Sequence, residues 1–166
     1  MQEGKPMKRK MYEKLLKWKE ESNGEVALLI DGARRIGKSY IVKQFAEENY
    51  KSYILIDFNQ VGPEIKELFN NYLNNLDMFF MYLSSYYNVD LYERDTLIIF
   101  DEVQLFPRAR SAIKYLVADG RYDYIETGSL ISIKKNVENI LIPSEERHLN
   151  MYPMDFEEFL WANRKQ

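Results

Sequence analysis

Residues 32–39, with the sequence GARRIGKS, constrain the fold more than any other part of the chain. They have the spacing Gly-x-x-x-x-Gly-Lys-Ser/Thr. A short apolar run over residues 26–30 precedes them, and a helical pattern over residues 40–48 follows. A strand, a glycine-punctuated loop and a helix in this order are typical of a loop that wraps around a phosphate group. The segment therefore predicts an α/β domain that binds a phosphorylated ligand.

Each fixed position of this loop has a physical task. Gly32 and Gly37 let the backbone turn tightly around an anion with no side chain in the way. The N–H groups of the loop converge at the positive end of the following helix. Lys38 can reach the terminal phosphates, and the Ser39 hydroxyl can ligate Mg²⁺ beside them. The alternative is a turn with a surface lysine, and the flanking strand and helix argue against it.

The composition limits the class of protein. The chain has 166 residues, of which 46% are hydrophobic and 30% charged, as expected for one globular domain with a substantial core. The net charge of −3 gives no general attraction to nucleic acid, although lysines crowd the N-terminus. The absence of cysteine excludes disulfides and thiolate sites. The charged N-terminus is unlike a signal peptide and no apolar run suits a membrane span, so we expect a cytoplasmic protein.

Apolar strand patterns alternate with helical patterns, which predicts an α/β domain with a mainly parallel sheet. We expect one domain over residues 1–166, in which an N-terminal helix precedes a core of residues 25–166. The predicted strands are residues 26–30, 53–56, 96–100, 122–126 and 147–151. The predicted helices are residues 7–22, 40–48, 64–76, 78–87, 107–118 and 155–162, with a short helix and a connection over 132–142.

Polar residues follow these strands at the end of the sheet where ligands of parallel sheets bind. Asp101 and Glu102 come directly after one buried strand, and residues 127–129 follow the next. An apolar strand ending in an acid is the Walker B pattern, in which Asp101 can hold Mg²⁺ opposite Ser39. Glu102 can then orient and deprotonate an attacking water. Two acids at a solvated sheet edge are the alternative, but the upstream phosphate-binding loop favours a site.

The separation of the two motifs indicates the subclass. One clear strand, residues 53–56, lies between them, so their strands are not joined by a single helix. Together with Glu102, this favours the additional-strand ATPases over GTPases and nucleotide kinases, and no Asn/Thr-Lys-x-Asp segment is present to recognise guanine. In such ATPases a polar residue after the following strand senses the γ-phosphate. Thr127 is the better candidate for this sensor, and Ser129 is the second.

Four motifs in order resemble one family. They are GARRIGKS at 32–39, IIFDEVQ at 98–104, ETGS at 126–129 and YPMDFEEFL at 152–160. The set resembles the prokaryotic AAA-type ATPase domain known as AAA family fourteen. This resemblance implies a P-loop NTPase fold, a three-layer αβα sandwich around a mainly parallel five-stranded sheet with strand order 5-1-4-3-2.

The resemblance also implies roles for individual residues. ATP is bound by the loop and the residue after it: Gly32, Ala33, Arg34, Arg35, Ile36, Gly37, Lys38, Ser39 and Tyr40. Mg²⁺ is held at Ser39 and Asp101. Glu102 activates water, with Lys38 and Thr127 as further catalytic residues. Arg147 falls where the family has a Gly-Arg pair and is a candidate to act on nucleotide, in its own or a neighbouring subunit, although Glu146 replaces the glycine here.

Three functions are compatible with these motifs. The first is a Mg²⁺-dependent ATPase that acts as a nucleotide-driven switch, with low activity for the isolated domain. The second is a STAND-like regulatory module that binds nucleotide with negligible turnover, and the presence of Glu102 argues against it. The third is a small-molecule phosphotransferase. It lacks an arginine-rich lid, although Arg108 and Arg110 follow the acids closely; we interpret these two as a solvated helix start.

The resemblance bears on partners as well. Members of the family usually continue into a C-terminal domain of nuclease-like type, so we expect the chain to be part of a longer protein. The expected partners are ATP and that attached domain, and further copies of the chain are compatible with the resemblance. Nucleic acid is compatible but not favoured by the net charge, and no membrane is expected.

Overall fold

A five-stranded parallel sheet forms the centre of the computed structural model, which describes residues 5–32, 37–129 and 146–150. The strands are β1 (Ala27–Asp31), β2 (Ser52–Asp57), β3 (Thr96–Asp101), β4 (Asp123–Gly128) and β5 (Glu146–Asn150). They lie in the order β2-β3-β4-β1-β5, and every neighbouring pair is parallel. This is the predicted order 5-1-4-3-2 listed from the opposite edge. The predicted topology is confirmed, with β4 inserted between β1 and β3.

Helices cover both faces of the sheet, which confirms the predicted three-layer sandwich. In the described residues the helices are α1 (Lys5–Ser22), α2 (Lys38–Asn49), α3 (Pro63–Asn71), α4 (Leu76–Tyr87) and α5 (Pro107–Asp119). Successive strand residues point to opposite faces. Leu28 and Ile30 therefore pack with α1 and α2, whereas Ala27 and Leu29 pack in the core beneath α3, α4 and α5. None of the helices in this part of the chain has the length and apolarity needed to cross a bilayer.

Aromatic packing fixes the position of β3, the strand that carries the two acids. Phe100, the last apolar residue of β3, lies edge-on to Phe69 of α3, with ring centroids 5.5 Å apart. Phe58, just after β2, packs edge-on against Phe100 at 5.7 Å. All six residues of β3 are buried, as expected for a central parallel strand covered on both faces. Aromatic packing around Phe100 therefore fixes the end of β3, directly before Asp101 and Glu102.

Two predicted boundaries were wrong, and each has a local cause. The helix predicted over 64–76 ends at Asn71, because Tyr72 and Leu73 pack against the core outside a helix. Asn75 then caps α4, its side chain accepting a hydrogen bond from the N–H of Met78 at 3.3 Å. The fourth strand continues to Gly128, so Thr127 lies in β4 and not in a loop. The elements predicted over 132–142 and 155–162 lie outside the described residues.

A buried ion pair joins β5 to α5. Arg110 donates to both carboxylate oxygens of Glu146, from Nη2 to Oε1 at 2.7 Å and from Nε to Oε2 at 3.2 Å. Neither side chain is more than 5% exposed. The interpretation of Arg110 as a solvated residue was therefore wrong: it turns inward because β5 brings Glu146 beneath α5. His148, two residues along β5, also contacts Glu146 at Oε1, at 2.8 Å.

The carboxyl group of Glu126 completes this buried cluster. Glu126 is in register with Leu29 and Glu146 with Ala27, so the two acids lie diagonally across β1 on the same face. Neither oxygen of Glu126 accepts a hydrogen bond from an N–H or hydroxyl donor of the described residues. Burial, together with the adjacent Glu146 carboxylate, raises the pKa of Glu126 well above its usual value. Both effects favour the neutral, protonated form of Glu126.

The pKa of Glu146 moves in the opposite direction. Burial alone would raise it, but hydrogen bonds from Glu126 and Arg110, together with the positive charge of Arg110, lower it. With Glu126 in its favoured neutral form, the Arg110 cation and the Glu146 carboxylate balance each other. This is the condition under which ionised groups are tolerated in a protein interior.

Glu126→Gln should make the stability of the protein less sensitive to rising pH. Because folding raises the pKa of Glu126, the stability that the neutral acid contributes is complete below the unfolded value, about 4.3, and is lost as the pH rises through the folded value. Glutamine keeps an N–H donor towards Glu146 and has no proton to lose. We expect the free energy of unfolding of the variant, relative to the unchanged protein, to increase from about pH 5 to about pH 9 in urea titrations.

The matched substitution Glu20→Gln, at an exposed position of α1, is expected to give a difference that does not vary with pH in this way. Parallel pH curves for Glu126→Gln and the unchanged protein would contradict the assignment of Glu126 as a buried neutral acid.

Candidate functional site

The carboxyl ends of β1, β3 and β4 meet at one edge of the sheet, where α2 begins. A cleft of about 670 Å³ opens there and is lined by Gly37, Lys38, Ser39, Tyr40, Asp57, Asn59, Asp101 and Glu102. A cleft of this size is in the range of small-molecule and cofactor sites. Residues 33–36 lie outside the described residues, so the roles predicted for Ala33, Arg34, Arg35 and Ile36 stay predictions.

Lys38 ties the phosphate-binding loop to β4. Its side chain is buried, and Nζ donates to the carbonyl oxygens of Gly32 at 2.8 Å and Gly128 at 3.0 Å. The N–H of Gly32 donates to the same Gly128 oxygen at 3.1 Å. These bonds join the end of β1, the start of α2 and the end of β4, so that the ammonium group lies at the sheet edge beside the cleft.

Gly37 sets the direction in which α2 begins. Its φ of 83° is in the left-handed region that favours glycine, and it occupies the N-cap of α2. Its carbonyl accepts a helical hydrogen bond from Ile41 at 3.1 Å. Lys38 and Ser39, in the first turn, line the cleft. The positive end of the α2 dipole therefore faces the cleft and favours an anion there.

Asp101 is the centre of a hydrogen-bond network at this edge. Its Oδ1 atom accepts from the Ser39 hydroxyl at 2.7 Å and from the Thr127 hydroxyl at 2.6 Å. The structure thus brings together the two residues predicted to hold Mg²⁺. It also adds Thr127, which is fully buried and accepts a hydrogen bond from the backbone N–H of Glu102 at 3.1 Å. The single hydroxyl proton of Thr127 is directed at Asp101, and its predicted contact with a γ-phosphate stays a prediction.

Glu102 has a backbone conformation that is uncommon for a residue with a side chain. Its φ of 57° and ψ of 51° are left-handed. Adjacent residues of a regular strand point to opposite faces, so a strand continuing through Glu102 would separate its carboxylate from that of Asp101. The left-handed turn ends β3 at Asp101, and both acids line the same cleft. The Glu102 carboxylate accepts a hydrogen bond from Gln104, Nε2 to Oε1, at 2.8 Å.

Asp57 and Asn59 are lining residues that the motif-based prediction missed. Asp57 ends β2 and is in register with Asp101, so it reaches the same edge of the sheet. Its Oδ1 accepts the N–H of Asn59 at 2.9 Å, which shapes the turn after β2. A polar segment directly after the second strand was the available signal, because every strand of a parallel sheet ends at this edge.

The structure does not bring Arg147 to the cleft. It lies at the second position of β5, in register with Leu28, and the cleft is at the opposite end of that strand. Its guanidinium donates to Glu21 of α1, from Nη1 to Oε1 at 3.0 Å. Tyr40, by contrast, lines the cleft with 63% of its surface exposed. The predicted action of Arg147 on nucleotide, in its own or a neighbouring subunit, stays a prediction.

Comparisons with known proteins bear on the class of the domain. A model of the AAA domain family matches residues 25–160. The solved structure of C. elegans PCH-2 is 14% identical, with a TM-score of 0.45; the match covers 90% of this chain but only 43% of that protein, so the chain spans less than half of its length. A comparison with curated protein sequences gives no match.

Thr127→Val should destabilise the protein. Valine has nearly the same shape as threonine but no hydroxyl. The N–H of Glu102 then loses its acceptor, and Oδ1 of Asp101 loses one of its two hydroxyl donors. Leaving buried polar groups without a partner costs about 1–3 kcal/mol each, and we expect a loss of that order in urea unfolding. Thr127→Ser keeps the hydroxyl and serves as the control, with a clearly smaller loss expected. Equal stability of the valine variant would show that these two bonds contribute little.

Proposed function

The chain belongs to the AAA domain family and is a nucleotide-binding module of the ATPase type, and from this premise we propose that it is a Mg²⁺-dependent ATPase. In this proposal ATP hydrolysis acts as a switch on an attached domain or partner. The observation that carries the proposal is the convergence of Ser39, Asp101 and Glu102 on one cleft, beside Lys38 and the start of α2.

The side chains at the cleft suit Mg²⁺. The Ser39 hydroxyl and the Asp101 carboxylate are hard oxygen donors and lie in contact at 2.7 Å. In the described part of the chain no group of three His, Cys, Asp or Glu side chains is arranged to hold a metal ion by itself. Mg²⁺ in nucleotide sites usually has one or two protein ligands, supplemented by phosphate oxygens and water. When bound, the ion would neutralise phosphate charge, with Ser39 and Asp101 as its protein ligands.

The remaining residues have separate tasks in the proposed hydrolysis. Lys38 and the amino end of α2 offset the negative charge of the phosphates. Glu102 orients a water whose oxygen bonds to the γ-phosphorus, and it accepts the proton that this water releases. The bond between the γ-phosphorus and the bridging oxygen breaks, and its electron pair leaves with ADP. Thr127 holds the backbone of Glu102 and the carboxylate of Asp101 in a fixed relation.

A second candidate function is a regulatory module that signals by nucleotide occupancy with negligible turnover. Among residues 5–32, 37–129 and 146–150 no arginine lines the cleft, and Arg34 and Arg35 lie outside the described residues. Arginine from a neighbouring subunit accelerates phosphoryl transfer by several orders of magnitude in related chemistry. We expect slow turnover for the isolated chain, and we propose that an arginine from a further copy of the chain or from an attached domain accelerates it. The phosphotransferase alternative has no such support, since Arg110 is buried against Glu146.

Exposed large hydrophobic side chains on α4 are compatible with a switch that acts on another domain. Met81, Tyr82 and Tyr86 of α4 each expose at least 40% of their surface. Exposed apolar groups that lie together on a surface commonly mark contacts with other proteins. A domain attached to the same chain is the partner we propose for such surfaces.

Glu102→Gln should slow hydrolysis strongly while leaving ATP bound. Glutamine keeps the size of the side chain but cannot accept the proton of water, so we expect the hydrolysis rate to fall by roughly a hundredfold or more. Binding of a fluorescent ATP analogue should be unchanged. The control is Glu13→Gln at an exposed position of α1, which should hydrolyse ATP normally. Hydrolysis that survives Glu102→Gln would show that another group is the base.

Lys38→Ala should weaken nucleotide binding itself. The substitution removes the cation that faces the phosphates, and charge-assisted bonds of this kind are among the strongest polar contacts, so we expect affinity to fall by roughly tenfold or more. Lys43→Ala, an exposed lysine of the same helix, is the matched control and should bind normally. Calorimetric titration with ATP and Mg²⁺ measures the difference. Undiminished binding by Lys38→Ala would rule out the phosphate-binding role of the loop.

A further inference from the structure

We propose that Gln104 is a positioning residue for ATP hydrolysis, because its side-chain amide holds the Glu102 carboxylate in the orientation from which water is activated. This inference rests on the proposed function and adds a residue to which no role in the reaction has been given. Gln104 lies in a short 3-10 turn, Val103–Leu105, directly after the acids. Its side chain is 9% exposed.

The chemistry of the contact suits positioning and not proton transfer. Gln104 donates from Nε2 to Oε1 of Glu102 at 2.8 Å, a good length for a hydrogen bond to a carboxylate. A carboxamide N–H group cannot accept the proton of water, so Gln104 does not replace Glu102 as the base. A carboxylate has two oxygens and about four acceptor positions. The bond therefore fixes the rotation of the carboxylate without exhausting its capacity to bind water.

The backbone of Glu102 is held by bonds that do not involve the Gln104 side chain. The N–H of Glu102 donates to Thr127 at 3.1 Å, and its carbonyl accepts from the N–H of Leu105 at 3.1 Å. These two bonds stabilise the left-handed conformation, which a residue with a side chain adopts only when its surroundings impose it. Both bonds act on the backbone, whereas the side chain has three further rotatable bonds. The Gln104 amide contacts the far end of that side chain at 2.8 Å.

This division of tasks separates positioning from a purely structural role. If Gln104 served only to stabilise the turn, its loss would reduce folding stability and nucleotide affinity along with the rate. If it orients the Glu102 carboxylate, its loss lowers the rate of the chemical step and leaves affinity unchanged, because Glu102 contributes in the transition state and not to ground-state binding. The two roles therefore predict different measurements.

The principal experiment is Gln104→Met, in which an unbranched side chain of similar length lacks the donor. In single-turnover assays with the protein in excess over ATP, we expect hydrolysis to slow by roughly tenfold, the usual effect of losing a hydrogen bond to a charged group. The Kd for ATP and the melting temperature should stay close to those of the unchanged protein. A rate equal to that of the unchanged protein, or an equal loss of rate and affinity, would overturn the inference.

A second variant, Gln104→Glu, has the same shape and replaces the donor by a carboxylate. The carboxylate offers no N–H donor to Glu102 and repels its negative charge. In single-turnover assays we expect the rate to fall at least as far as in Gln104→Met, roughly tenfold, with the Kd for ATP unchanged. A rate equal to that of the unchanged protein, or an equal loss of rate and affinity, would contradict the contact, and this variant also decides the matter if Gln104→Met does not fold.

The double variant Glu102→Gln with Gln104→Met tests whether Gln104 acts through Glu102. With the base removed there is no carboxylate to orient, so we expect no further loss relative to Glu102→Gln alone. A further tenfold loss would show that Gln104 acts independently. The design also separates the two proposals. Loss of activity in Glu102→Gln with full activity in Gln104→Met overturns only this inference, whereas full activity in Glu102→Gln overturns the proposed function.

Discussion

The geometry of the cleft depends on one carboxylate oxygen. Oδ1 of Asp101 accepts two hydroxyl protons, from Ser39 at the start of α2 and from Thr127 at the end of β4. A carboxylate that is only 8% exposed is tolerated when donors compensate its lost hydration, and hydroxyl donors at these distances do so. The strand order makes this possible, because β4 lies beside both β3 and β1. In a sheet with β1 beside β3, Thr127 could not reach the acids.

Much of this arrangement follows from local patterns. Buried strands that end in polar residues, a glycine-punctuated loop and the parallel sheet together place Ser39, Asp101 and Glu102 at one edge, and the motif set indicates the strand order. The side-chain contacts at this edge of the sheet cannot be predicted from local sequence patterns. The pairing of Glu102 with Gln104 requires a left-handed turn, and a sequence of ordinary L-residues gives no signal for one.

The buried cluster of Arg110, Glu126 and Glu146 was beyond prediction for a different reason. Its members come from α5, β4 and β5, and the two acids meet only because the register sets them diagonally across β1. A register is decided by packing over the whole sheet, whereas charge patterns in the sequence report only on near neighbours. Glu146, where a glycine was expected from the resemblance, supplies the carboxylate that lets Arg110 be buried. The departure from the motif thus has a structural counterpart within the same chain.

The structural role of Lys38 competes with its proposed contact with phosphate. Its ammonium group already bonds the carbonyl oxygens of Gly32 and Gly128, and so holds the loop against β4. Any shift of this group towards a phosphate exchanges part of that internal bonding for a contact with the ligand. The affinity measured for a phosphorylated ligand is then the difference between the bonds gained and the bonds given up, and it is smaller than the contacts with the ligand alone would give. The same exchange loosens the tie between the loop and β4, so the position of that strand relative to the loop becomes sensitive to whether the ligand is bound.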